Sequence, residues 1–140
     1  MKKVFIDTNV FIDYIAHRAK FYEQAAAIVS LADYGLFQLI VSSLSFATSS
    51  YILESHYKKT PEEILNSYRE FVDICRIATV DDATIRAAIR TPFSDFEDAM
   101  EYHAALAESA DCIVTRNKKD FLLASFPILT PHEFLDMITI

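Results

Sequence analysis

Residues 3–13 read KVFIDTNVFID. Three consecutive apolar residues, Val4, Phe5 and Ile6, end in a carboxylate, Asp7, followed at once by Thr8 and Asn9. A surface turn would explain an acid at that point. So would a buried strand that delivers a carboxylate to a site at its carboxyl end. The apolar run is continuous rather than alternating, which suits a strand covered on both faces.

The remaining short apolar runs are residues 38–42 (QLIVS), 76–80 (RIATV), 112–115 (CIVT) and 127–130 (PILT), and with 3–7 they make five expected strands. Longer stretches with helical spacing separate them. Residues 61–75 are the clearest: Thr60 serves as N-cap, Pro61 occupies the first helical position and Glu63 completes a capping box. Ile64, Leu65, Tyr68, Phe71, Val72 and Cys75 then share one face. Residues 130–139 repeat that opening with Thr130, Pro131 and Glu133. Helical patterns also cover 43–57, 81–90 and 20–34, the last stopping before Gly35, the only glycine. Strands alternating with helices imply a parallel sheet flanked by helices, with ligands gathered beyond the carboxyl ends of the strands.

Composition agrees with one compact domain over residues 1–140. Apolar residues make up 52% and charged residues 24%, enough for a core and too apolar for disorder. No low-complexity tract or repeat divides the chain. The three-residue apolar run after Lys3 is too short for a secretory signal, and no segment approaches a membrane span of roughly 20 apolar residues. Cys75 and Cys112, the only cysteines, read as reduced core residues. A cytoplasmic protein is expected. The net charge of −7 argues against a general nucleic-acid binder but leaves room for a basic protein partner.

The second informative stretch is residues 91–121, TPFSDFEDAMEYHAALAESADCIVTRNKKDF. Ser94 and Glu97 have the spacing of a capping box, so a helix should begin near Asp95, with Glu97 spent on the cap. Asp95 and Asp98 then share a helix face. Alone, both would simply favour the positive end of the helix dipole. Asp7 at the end of one strand and Asp120 just past another change that balance. Carboxylates brought to one rim repel unless a divalent cation neutralises them, and an all-oxygen set suits magnesium or manganese. There is no Cys/His spacing for structural zinc. His17, His56, His103 and His132 are scattered and pair with no nucleophile motif. RNKKD, residues 116–120, is a short basic cluster beside the expected site.

IDTNVFID (6–13), SDFEDAMEYHAA (94–105) and DCIVTRNKKDF (111–121) together resemble the PIN-domain family, in particular its VapC-like toxins. The resemblance runs over nearly the whole chain in order. It implies a three-layer α/β/α sandwich with a five-stranded parallel sheet and a Mg2+- or Mn2+-dependent ribonuclease acting on RNA. It also implies a homodimer held inactive by a cognate antitoxin. By position, Asp7 and Asp98 match the metal-binding acids and Asp120 an acid that many relatives carry after the TRN turn; Asp95, without such a match, would complete the catalytic set. Some relatives carry the last acid where this chain has Asn117. Thr8, Asn9, Thr115 and Asn117 would orient the acids. Arg116, Lys118 and Lys119 would hold the RNA backbone. Asp13 recurs in the first motif but reads as structural.

One departure stands out. In IVSSLSFATSSYILE, residues 40–54, many relatives have a glutamate where this chain has Thr48. Glu54 is six residues further, about 240° around the helix, and cannot replace it from the same face; Asp95, one turn before Asp98, is the better substitute. Two other readings compete. A degenerate fold could bind RNA or protein without cutting it. An aspartyl phosphotransferase could use Asp7 as nucleophile, although such enzymes commonly carry a second Asp where this chain has Asn9.

Overall fold

The computed structural model describes residues 2–138. Its centre is β1 (Lys3–Ile6), the strand the opening motif predicts. β1 pairs in parallel with β2 (Gln38–Ser42) on one side and β4 (Cys112–Val114) on the other. β3 (Arg76–Ala78) joins β2 and β5 (Ile128–Leu129) joins β4, giving the order β3-β2-β1-β4-β5, all parallel. The Asp111 carboxylate ties the sheet at its amino end, accepting from the backbone N–H of Lys2 at 3.0 Å and Lys3 at 2.9 Å.

Side chains on adjacent positions of a strand point to opposite faces. Val4 and Ile6 of β1, Leu39 and Val41 of β2, and Cys112 and Val114 of β4 enter one apolar cluster. Phe5, Ile40 and Ile113, the intervening residues, enter a second. The continuous apolar runs follow from this, because both faces of the sheet are covered. On the first face lie α1 (Thr8–Ile15), α2 (Tyr22–Asp33), α3 (Ser43–Ser55), α4 (Pro61–Phe71) and α7 (Pro131–Ile138), contributing Phe11, Ile28, Leu53, Phe71 and Phe134. The second face is covered by α6 (Phe96–Ala107), with Tyr102, Ala104 and Ala105, and by Phe121; α5 (Asp82–Ile89) packs on α6. This is the expected three-layer sandwich.

Element ends differ from the sequence reading where side chains take over the backbone's partners. The run expected to be a strand through residue 80 stops at Ala78, and the Val80 N–H goes instead to the Ser43 hydroxyl at 3.0 Å. The fifth strand loses Thr130, whose N–H donates to the Glu133 carboxylate at 2.9 Å in the capping box of α7. The matching box at Thr60 and Glu63 opens α4, which ends at Phe71 and passes through a 3-10 turn (Val72–Ile74) instead of running to residue 75. Residue 139, expected to be helical, lies outside the described residues. Gly35 stops α2 as expected, at φ 90°, with its N–H on the Ala32 carbonyl and the Leu36 N–H on that of Leu31. Both cysteines are free. Among the described residues no helix is long and apolar enough to cross a membrane.

Candidate active site

β1 ends as α1 begins, and Asp7 serves both. Its N–H still reaches across the sheet to the Val114 carbonyl at 2.9 Å, while its carboxylate caps α1 by accepting from the Thr8 N–H at 2.8 Å. The other carboxylate oxygen accepts from the Thr115 hydroxyl at 2.8 Å and the Asn9 amide at 3.2 Å. The Asn9 carbonyl oxygen in turn accepts from the Arg116 N–H at 3.3 Å, and the Thr115 hydroxyl oxygen from the Asn117 N–H at 3.1 Å. Thr115 and Asn9 therefore touch Asp7 directly, Asn117 acts on it through its backbone, and Thr8 turns its side chain elsewhere. Asp7 is only 5% exposed, and burial pushes its carboxyl up despite these donors.

The helix expected near Asp95 is α6, but its cap is not the expected one. Asp95, not Ser94, is the N-cap, with its carboxylate accepting from the Asp98 N–H at 3.1 Å. SDFED contains two overlapping cap patterns, and the chain uses the second, which places a charged oxygen at the positive helix end. Glu97 is thereby released from the cap. It lines the same open pocket as Asp7, Asp95, Asp98 and Asp120, and its carboxyl is raised by burial and then by Asp95 and Asp7. Asp98 is raised further, to about 7, by burial first and then by Asp7, Asp95, Asp120 and Glu97. Asp120 sits in the 3-10 turn Lys118–Phe121, held down by Phe121, which is 1% exposed.

Thr48 of α3 lines this pocket too, and Glu54 is exposed on the same helix, as the helical rotation requires. Asn117 lines the pocket beside Asp120. No histidine does.

The basic residues are placed differently from expectation. Arg116 donates to Asp13 at 2.7 and 3.3 Å and stacks its guanidinium 3.9 Å from the Phe21 ring centroid. Lys118 pairs with Glu133 at 3.0 Å. Lys119 is exposed at the edge of the turn. The cation that lines the pocket is Arg18, which the sequence did not single out.

Glu101 was also missed. It is 0% exposed, one turn beyond Asp98 on α6. One of its oxygens accepts from the Ser42 hydroxyl and the other from Thr8 at 3.2 Å and Ser45 at 3.3 Å. Burial and the nearby Asp7 push its carboxyl up. Its three-residue spacing from Asp98 was a signal, as was the hydroxyl pair Ser42 and Ser45 at the end of an apolar strand.

No salt bridge among the described residues engages any acid of the pocket. Their donor set is all oxygen, which fits a hard divalent cation. Among the described residues no three acidic, histidine or cysteine side chains converge into a ready-made cage. Magnesium does not demand one, because it keeps several waters and often takes only one or two carboxylates.

A family model described as PIN domain matches residues 3–119 of the chain. A curated relative, Ribonuclease VapC1 of Aquifex aeolicus (strain VF5), is 29% identical over 140 residues, covering 96% of this chain and 94% of that protein. Among solved structures, VapBC2 from Rickettsia felis, bound to a DNA fragment from its promoter, superposes with a TM-score of 0.64 at 20% identity over 91% of this chain and 97% of that one. The sarcin-ricin loop cleaving toxin VapC20 of Mycobacterium tuberculosis gives 0.60 at 12% identity over 79% of this chain and 86% of that one. At these identities the two structures speak for the fold alone.

Proposed function

This chain belongs to the PIN-domain family, and from that membership we propose that it is a divalent-metal-dependent endoribonuclease and the toxin of a toxin–antitoxin pair. The observation that carries the reading is the pocket itself: five carboxylates, those of Asp7, Asp95, Glu97, Asp98 and Asp120, line one opening with no cationic side chain bonded to any of them. Asp98 is raised to about 7, by burial first and then by the charges of Asp7, Asp95, Asp120 and Glu97, the part that a bound cation would relieve.

Asp7 and Asp98 would hold Mg2+ or Mn2+, with Asp95 and Asp120 as further acids on the rim. When bound, such an ion offsets the charge that develops on a phosphodiester under attack by water. The chain's own part is positioning. Thr115 and Asn9 fix the Asp7 carboxylate, and the Asp95 cap fixes the first turn that carries Asp98. No side-chain nucleophile is required.

The relatives support the partners. The curated relative is named a ribonuclease, one structure of the same fold is VapBC2 bound to a promoter DNA fragment, and another is described as a sarcin-ricin loop cleaving toxin. A basic antitoxin segment reaching the pocket would meet an unpaired acidic rim, as charge complementarity favours. A homodimer is proposed on the family resemblance. The deciding experiment is cleavage of bulk bacterial RNA by purified protein with manganese, with chelator, and by Asp98→Asn. Cutting that needs metal and Asp98 is expected; cutting that survives chelation overturns the mechanism.

A further inference from the structure

The geometry points to Arg18 as the residue that receives the RNA phosphate across the acidic pocket, a role resting on the ribonuclease reading above. Arg18 follows the end of α1 and lines the same pocket as the carboxylates. It is bonded to none of them. Its Nη1 donates to Asp13 at 3.2 Å and its Nε to the Tyr57 hydroxyl at 3.2 Å. Among the described hydrogen bonds Nη2 makes none. The side chain is 27% exposed, so it is held in place yet open to solvent.

Charge counting beneath it is decisive. Asp13 is 1% exposed and is shared by two guanidiniums, those of Arg116 and Arg18, of which Arg18 lines the pocket. Arg116 takes both Asp13 oxygens and is locked further by stacking on Phe21. One carboxylate cannot neutralise two arginines, so the cluster keeps a net positive charge, and Arg18 presents it to the pocket. The cluster is also built rather than incidental: the buried Asp13 and the Tyr57 hydroxyl hold the Arg18 guanidinium, while the Phe21 ring holds its neighbour Arg116. A pocket lined by both acids and a held guanidinium matches a phosphodiester contacted by a cation and by an N–H fork. Arg116 and Lys118, the basic residues nearest by sequence, pair with Asp13 and Glu133 and are not among the residues lining the pocket.

The test uses full-length Arg18→Ala and Arg18→Lys, with Arg69→Ala as a charge control, since Arg69 is exposed and bonds only Asn66. The probe is fluorescein-labelled bulk tRNA, titrated by anisotropy in calcium at several salt concentrations, alongside manganese-dependent cleavage kinetics. Arg18→Ala should weaken binding by roughly tenfold or more, the worth of a charge-assisted contact. It should flatten the slope of log affinity against log salt by about 0.7, one phosphate on a single strand. KM should rise with kcat little changed. Arg18→Lys should keep the slope, and Arg69→Ala should match wild type. A purely structural Arg18 would lower the melting temperature without moving the slope. Should Arg18→Ala fail to fold, the same slope is compared for Arg18→Gln. Unchanged affinity and slope in a wild type that still cuts RNA overturns Arg18 alone. A wild type that neither binds nor cuts RNA overturns the ribonuclease reading, and Arg18 with it.

Discussion

Thr115, at the end of β4, donates its hydroxyl to the carboxylate of Asp7, at the end of β1, across 2.8 Å and a sequence separation of 108. The bond is buried, and its donor also receives the Asn117 N–H. Two adjacent parallel strands thus hand a carboxylate and its orienting hydroxyl to one rim. Thr115→Val keeps the shape and removes the donor. Metal affinity or cleavage should fall by roughly 10–100-fold, the usual effect of losing a partner behind a ligand. Calorimetric manganese titration measures it; an unchanged affinity means that Asp7 needs no such restraint.

The pocket should make the metal-free protein less stable as pH rises. Asp98 sits at about 7 against an ordinary 3.8, and Glu101, Glu97 and Asp7 are raised as well. The folded chain therefore holds protons that the unfolded chain gives up, so stability is fullest below about pH 4 and is lost as pH climbs through the Asp98 value near 7. Melting temperatures in chelator should drop between pH 5 and 8, and Asp98→Asn should reduce that drop. Magnesium at pH 8 should restore stability to wild type. A flat profile in chelator contradicts the clustering of charge.

Thr48 lines the acidic pocket from α3, so a carboxylate at that position would join the proposed metal-binding acids. Thr48→Glu should tighten manganese by on the order of tenfold, an added attraction of about 1.4 kcal/mol. Without metal it should lower the melting temperature, since one more acid joins a repelling set. Tighter binding together with lower metal-free stability is the expected pair of results from calorimetry and thermal melts.

Glu101 should carry stability rather than contact substrate. Glu101→Ala leaves the hydroxyls of Thr8, Ser42 and Ser45 without their shared acceptor and opens a cavity among residues that are all buried. A loss of about 2–4 kcal/mol in urea unfolding is expected. Glu101→Gln keeps the volume and one acceptor, and should lose clearly less.

At Ser109, just past α6, the backbone has φ 56°, with its N–H on Leu106 and the Ala110 N–H on the Ala105 carbonyl. That is the arrangement Gly35 makes after α2, but with a side chain in the left-handed region. Ser109→Gly should relieve strain and stabilise the fold by about 0.5–1 kcal/mol, read by the same unfolding experiment.

The sheet was legible because burial on both faces writes itself into consecutive residues such as Val4, Phe5 and Ile6. Asp7 was legible for the complementary reason: an acid ending such a run must be placed by it. What lay beyond reading was each contact made across long separations. Glu101, in a helix with charged neighbours, looks like a solvent-facing residue until Ser42 and Thr8 arrive from other elements. Arg116 looked available because its partner, Asp13, stands 103 positions earlier. The cap at α6 was ambiguous within five letters, SDFED, and only the fold selects Asp95.

Parallel pairing of the first strand with the fourth has a consequence for synthesis. Val4 meets Cys112, and the pocket draws on Asp7, Asp98 and Asp120. A ribosome must therefore translate to about residue 120, and release that stretch from its exit tunnel, before the acids can meet. At roughly 5–20 residues per second, Asp7 waits on the order of 6 to 23 seconds for Asp120. A chain broken off by a premature stop between Asp7 and Asp98 carries the β1 sequence but lacks Asp98 and Asp120. Such a fragment holds the opening motif without the full set of acids that the finished domain brings to one rim.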